Sequence, residues 1–340
     1  MAPSDAMVTH RVRRVPTAGC AAAGVWLAAQ FLTAPALASP STVPPEAGYD
    51  LGEIQSPRDL ALAGALNAFG TSTSALYLNP ANLPFSRVYH FEAIGSFSPE
   101  ARRQSYGGAV VDSSTSKITG GFAGTWSNMD PSGINRTWTD LRLSLAYPLG
   151  DKLAMGVTGR YLRVDQAVAT GPFGATDVSD GTSGSPVLDK ITFDAGLTAA
   201  PIDQLRIGVV GHNLTNIGNA LAPTTVAGGI GFKAGDFTLE ADGLADFTTW
   251  GKTRARFMAG GELFLADHFP IRVGYRYDDG LNTHAIAAGL GYIDTHWSFE
   301  VSGRHDIVGR DPATMLSVGL RYFYDATQTQ SNQTDVPDPF

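Results

Sequence analysis

The stretch Asp140-Leu141-Arg142-Leu143-Ser144-Leu145-Ala146-Tyr147 decides the fold. Large apolar side chains stand at 141, 143, 145 and 147, and charged or small ones stand between them. A period of two sends the two sets to opposite faces of an extended strand, whereas a helix would scatter them. Ile271, Val273, Tyr275 and Tyr277 alternate in the same way with Arg272, Gly274 and Arg276, as do Leu205, Ile207 and Val209 with Arg206 and Gly208. From Val88 onward the chain is a succession of such segments, each about ten residues long and bounded by Gly, Asp, Asn, Pro or Ser. The pattern predicts fourteen strands, at 88–97, 104–111, 118–126, 137–147, 153–164, 191–200, 205–212, 224–232, 237–247, 253–264, 271–277, 283–293, 297–304 and 315–324. The connections alternate in length: those after the even strands are short, while most after the odd strands are longer, notably 127–136, 165–190, 213–223 and 305–313. An even strand count with this asymmetry is the grammar of a transmembrane antiparallel β-barrel whose chain ends lie on the periplasmic side.

Composition agrees. A chain of 340 residues is long for one ordinary soluble domain but suits a single closed barrel. A net charge of −8 with only 16% charged residues lacks the clustered basic face of a nucleic-acid partner. No internal stretch is apolar enough for a spanning helix, so the membrane must be crossed by alternation.

The N-terminus reads as an export signal. Arg11, Arg13 and Arg14 precede the apolar stretch 18–32, and Ala36-Leu37-Ala38 offers a small-x-small cleavage site. Residues 1–38 are expected to be removed, and Cys20 with them, leaving a mature chain without a disulfide framework. The expected divisions are then a segment at 39–87 without period-two alternation, a barrel at 88–324 and a polar tail at 325–340.

Charges cannot face lipid, where a midplane arginine costs about 2–4 kcal/mol. The lumen is therefore expected to hold Arg142, Arg160, Glu240, Asp242, Asp246, Arg254, Arg256, Glu262, Arg272 and Arg276, with Glu92, Asp194, Arg206, His212, Glu300, Arg304 and Arg321. Hairpin geometry sets Asp246 opposite Arg254 or Arg256 and Glu262 opposite Arg272, an ion-pair ladder that serves either to rigidify the interior or to select a solute. Trp126, Trp138, Tyr147, Tyr161, Trp250, Tyr277, Tyr292, Trp297, Tyr322 and Tyr324 fall near strand ends, where aromatic girdles sit. Nothing has the spacing of a catalytic or metal site, so no enzyme activity, cofactor or metal is expected. Gly228-Gly229-Ile230-Gly231 lies within a strand and reads as small residues easing curvature or contact with the N-terminal segment.

That segment has local signals of its own. Ser56-Pro57-Arg58-Asp59 combines a capping serine, a proline at the first helical position and an early acid, and Asn79-Pro80 is a second such start.

Two stretches carry resemblances. Ser317-Val318-Gly319-Leu320-Arg321-Tyr322-Phe323-Tyr324 resembles the polar-x-Gly-x-x-aromatic-x-aromatic signal read by the barrel-assembly machinery, with Ser317, Gly319, Tyr322 and Tyr324 at its marked positions. Residues 61–68 followed by Thr73-Ser74-Ala75-Leu76-Tyr77-Leu78-Asn79-Pro80-Ala81-Asn82-Leu83 resemble the start of the FadL outer-membrane transport family and the related PorV/PorQ proteins. In that family the segment forms a hatch in the periplasmic half of the lumen, and Asn79, Pro80 and Ala81 match its Asn-Pro-Ala motif. Asn82 stands where glycine is usual and Thr73 where aspartate is common. The resemblance implies a protein of the bacterial outer membrane, embedded in its lipid, that passes a small hydrophobic or amphipathic solute under control of the hatch. In the PorV manner it implies instead a scaffold for a secreted or surface protein.

Overall fold

The computed structural model describes residues 56–129, 135–166, 187–219, 221–250, 252–309 and 312–324. The expected signal peptide, Cys20, most of the loop at 165–190 and the tail at 325–340 lie outside them.

Fourteen strands follow one another: β1 (Tyr89–Ser98), β2 (Arg103–Asp112), β3 (Thr119–Met129), β4 (Arg136–Pro148), β5 (Leu153–Gln166), β6 (Leu188–Ile202), β7 (Leu205–His212), β8 (Thr225–Ala234), β9 (Phe237–Asp246), β10 (Arg254–Leu265), β11 (Phe269–Asp278), β12 (Thr283–Ile293), β13 (Trp297–Val308) and β14 (Thr314–Phe323). Each pairs antiparallel with its sequence neighbours, and β1 closes on β14 in the register Glu92↔Arg321 and Ser96↔Ser317. Closure leaves no sheet edge, which is what a strand needs in hydrocarbon. β6 and β11 run longer than their alternation predicts. Pro201 near the end of β6 falls where the register with β7 shifts between Ala199 and Ile202, an irregularity that absorbs the missing donor.

The wall is inverted relative to a soluble protein. On β4, Leu143 is 57% exposed on the outside while Asp140 is 1% and Arg142 is 5% exposed within. The outer face continues through Phe122, Val157, Phe193, Ile230, Phe257, Val273, Leu290 and Leu320, all exposed. Such a surface is stable only against hydrocarbon. Among the described residues no helix is long and apolar enough to cross a membrane, so the strands do the crossing.

The segment before β1 lies inside the barrel. It comprises α1 (Pro57–Ala61), α2 (Thr73–Tyr77) and a 3-10 helix at Pro80–Phe85. The capping serine and early acid read from the sequence form a full capping box on α1: Asp59 N–H donates to Ser56 Oγ at 3.3 Å and Ser56 N–H to Asp59 Oδ2 at 3.2 Å. Asn79 caps the 3-10 helix by accepting from Ala81 N–H at 3.1 Å, with Pro80 at its first position. Leu76 and Leu83 pack with Ile94, Val111 and Ala123 of the wall, so these short helices are held by tertiary burial.

Candidate functional site: the lumenal chamber and the inner segment

Glycine makes the room. A methyl group on Gly156 of β5 would lie 2.5 Å from the Pro80 carbonyl carbon, and one on Gly274 of β11 would lie 2.5 Å from that of Leu62. Equivalent groups on Gly196 and Gly208 would run into Asn79 Oδ1 and the Asn67 carbonyl oxygen. The inner segment thus sits directly on backbone around much of the wall, the close-approach role of strand glycines. Gly231, from the glycine run in β8, faces the Phe69 ring in the same way.

Polar anchors then tie the segment to separate sectors of the wall. On β9, Asp242 Oδ2 accepts from Asn67 N–H and Nδ2, both at 2.8 Å, and Glu240 accepts from the N–H groups of Ala68 and Phe69 at 2.5 and 2.9 Å. On β10, Glu262 receives a two-pronged contact from Arg58, at 3.1 and 2.9 Å. On β4, Arg142 donates to the Tyr77 carbonyl at 3.0 Å. On β1, His90 Nε2 meets the hydroxyls of Ser72 and Thr73 at 3.1 and 3.0 Å. Asn79 Nδ2 donates to the Asn67 carbonyl at 2.8 Å and to Thr198 Oγ1 of β6 at 3.0 Å. The two departures from the family pattern are both used: Thr73 meets His90, while Asn82 donates to the Asn67 carbonyl and accepts from Thr198 at 2.7 Å. Burial pushes the Tyr77 phenol up to about 12, so it stays a neutral group beside Thr125, 3.2 Å away.

Several of the lumenal charges pair with one another. Asp140 lies between Arg142 and Arg160, at 3.0 and 2.6 Å. Arg272 bridges Glu262 and Glu300 at 2.5 and 2.7 Å, and Arg321 meets Glu92 at 2.8 Å. The expected pairing of Glu262 with Arg272 is therefore present. Asp246 does stand opposite Arg254 in the register, but it accepts from Thr248 and Thr249 N–H, while Arg254 meets Asp279 and Arg256 meets Asp278, both at 2.8 Å. Arg276 is buried inside as well. In β14, Ser317 and Gly319 face inward, against Ser96 and Pro57 respectively, and Tyr322 is exposed on the outer face. Tyr324, just past the strand, is exposed and packs edge-on against Tyr89.

Two of the expected girdle residues face the other way. Trp138 is 4% exposed and packs inside with Leu162, Val164, Leu188, Leu221 and Ala222, and Trp250 joins this cluster. The reason is parity: Trp138 shares the inward phase of Asp140 and Arg142 on β4. The apolar cluster occupies the end of the lumen opposite the start of β1. No single hydrophobic loop announces it in sequence, because its members come from three strands and from the connections after β7 and β9.

Between this cluster and the inner segment lies a cavity of about 60 Å³. The segment contributes Gly64, Asn67, Tyr77 and Leu78, the wall contributes Arg142, Arg160, His212, Thr225, Ala227, Leu244 and Met258, and the connection after β7 contributes Asn213 and Pro223. The lining is mixed. Leu78, Leu244, Met258, Ala227 and Pro223 are apolar, and the guanidinium groups at its edge are already held by Asp140.

Several solved barrels share this architecture. The Ralstonia pickettii toluene transporter TbuX superposes with a TM-score of 0.58 at 14% identity, covering 81% of this chain and 98% of that one. The Pseudomonas putida toluene transporter TodX gives 0.55 at 13%, covering 80% and 98%. A Pseudomonas aeruginosa FadL homologue gives 0.51 at 13%, covering 83% and 99%. The chain has the FadL-type fold. No protein-family model matches it and no curated protein matches by sequence, so the relation is carried by structure. In this FadL-type barrel the resembling segment runs within the lumen, with Asn79 buried at the centre of its contacts.

Proposed function

We propose that this protein is an outer-membrane channel that admits a small, uncharged, largely apolar solute through a lumen gated by the N-terminal segment. The observation that carries the reading is the composite lumen: an apolar cluster at one end, a mixed chamber of about 60 Å³, and a seated segment at the other. A charged solute would have to break the Asp140 pairs to gain a partner, whereas an uncharged one leaves them intact. That TbuX and TodX are toluene transporters supports the same class of solute. Asn79, Pro80 and Ala81 serve as the anchor of the gate, the ion pairs hold the lumen in shape, and Ser317, Gly319, Tyr322 and Tyr324 serve as the assembly signal.

One observation favours a second reading, a scaffold for a secreted or surface protein. The cavity beside the inner segment is only about 60 Å³, and so narrow a lumen suits a barrel used for its loops. The deciding experiment is uptake by proteoliposomes made with lipopolysaccharide and the purified full chain. Uptake of small neutral solutes above protein-free vesicles supports the channel, and none, together with a surface protein co-purifying from crosslinked cells, supports the scaffold.

A further inference from the structure

Nearly every polar group lining the chamber has a partner, and the exceptions define a ligand. Arg142 and Arg160 are committed to Asp140, and Arg160 also donates to Asn213 Oδ1 at 3.1 Å. Asp194 accepts from Asn213 N–H at 2.8 Å through Oδ1 and meets His212 Nδ1 at 3.2 Å through Oδ2. A carboxylate accepts only, so the proton between the two groups lies on Nδ1, and Nε2 is the ring nitrogen left to meet a ligand. Nε2 has no hydrogen-bond partner among the described residues. Thr225 stands directly across from His212 in the β7–β8 register, lines the same cavity, and its hydroxyl also has no partner among them. An open imidazole nitrogen and a hydroxyl, which both donates and accepts, therefore occupy adjacent strands of a half-apolar chamber, with Asn67 Oδ1 of the inner segment a further buried acceptor that has no partner among the described residues. Unpaired polar groups of this kind discriminate strongly between ligands that can and cannot complete them.

We propose that the chamber selects solutes with one hydroxyl group on a compact apolar body. The solute hydroxyl, which can donate and accept, bridges His212 Nε2 and the Thr225 hydroxyl, while the hydrocarbon part lies against Leu78, Leu244 and Met258. This rests on the channel reading above and narrows its substrate class. An acid is disfavoured because Asp194 stands behind the imidazole, and an amine because Arg142 and Arg160 flank the site. At about 60 Å³ the chamber is smaller than the roughly 150 Å³ that takes up a benzene ring, so entry requires a lining side chain to yield. Met258, unbranched and flexible, is the side chain suited to do so.

The test compares benzyl alcohol with ethylbenzene, two solutes of similar size, in uptake by lipopolysaccharide-containing proteoliposomes. The native protein is expected to favour the alcohol by about tenfold over the ratio in protein-free vesicles, the value of one well-made hydrogen bond. His212→Leu and Thr225→Val should each reduce that preference several-fold, and His212→Gln, which restores an acceptor, should recover part of it. Retained heat-modifiability of each variant shows that the barrel has formed. Imidazole ¹⁵N spectra give a readout independent of flux: benzyl alcohol should shift the Nε2 signal of His212 and ethylbenzene should not. Equal uptake of both solutes, with no shift of that signal, overturns the hydroxyl assignment and leaves the channel reading standing. Uptake of neither solute overturns the channel reading itself.

Discussion

Asp140 shows what a single lumenal residue does in this protein. It is the shared counter-charge of two buried guanidinium groups, so Asp140→Asn keeps the shape and removes the charge. Breaking a buried pair in this way costs about 3–5 kcal/mol. The expected outcome is a clearly lower urea midpoint for unfolding from lipid vesicles, and an unchanged midpoint would contradict the assignment. Gly208→Ala works through space. Its methyl group would run into the Asn67 carbonyl, the acceptor shared by Asn79 and Asn82, and overpacking of this kind typically costs about 1–3 kcal/mol. Protease should then cut within 56–87 in a barrel that remains heat-modifiable. Of these contacts the pairing of Glu262 with Arg272 was legible, because adjacent strands of a hairpin face one another. The position of Asp140 between Arg142 and Arg160 was not, since it depends on side-chain reach along a strand as well as across it. Nor was the meaning of Gly208, because a glycine in a strand announces a close approach without naming what approaches.

At the scale of elements, the two capped starts of the inner segment were readable and the helix between them was not. Ser56-Pro57 and Asn79-Pro80 act locally, through a side chain and a fixed backbone angle, and both form as read. α2 has no side-chain cap, and Ser72 before it adopts φ 64°; contacts with His90 and the β3 wall hold it, so nothing in its own residues marks it. Replacing Asn79 and Pro80 together by alanine removes the bonds to Asn67, Thr198 and Ala81 while leaving the strand ladder intact. The expected result is a loosened segment in a folded barrel, seen as altered single-channel conductance or solute uptake with heat-modifiability preserved. Unaltered transport would mean that the segment is no gate.

For the whole molecule, the inverted wall makes a test of its own. Leu143→Arg places a charge on the lipid face at a cost of about 2–4 kcal/mol, and should lower the yield of heat-modifiable barrel in the outer-membrane fraction. Arginine at an inward position such as Ser144 would act instead by overfilling the lumen, so the two variants separate lipid exposure from packing. Recovery of the native chain as a soluble periplasmic protein would contradict the architecture outright. The closed barrel of fourteen strands was determined by sequence alone, because period-two alternation and turn residues are local and recur from Val88 to the end of β14. What fills the barrel was decided by tertiary structure. Arg58 meets Glu262 across 204 positions of chain and Asn67 meets Asp242 across 175, separations at which no local pattern can specify a partner. The same holds for the chamber, since Trp138 turns inward by strand parity and His212 meets Thr225 by register. These follow from how the closed sheet brings its faces together.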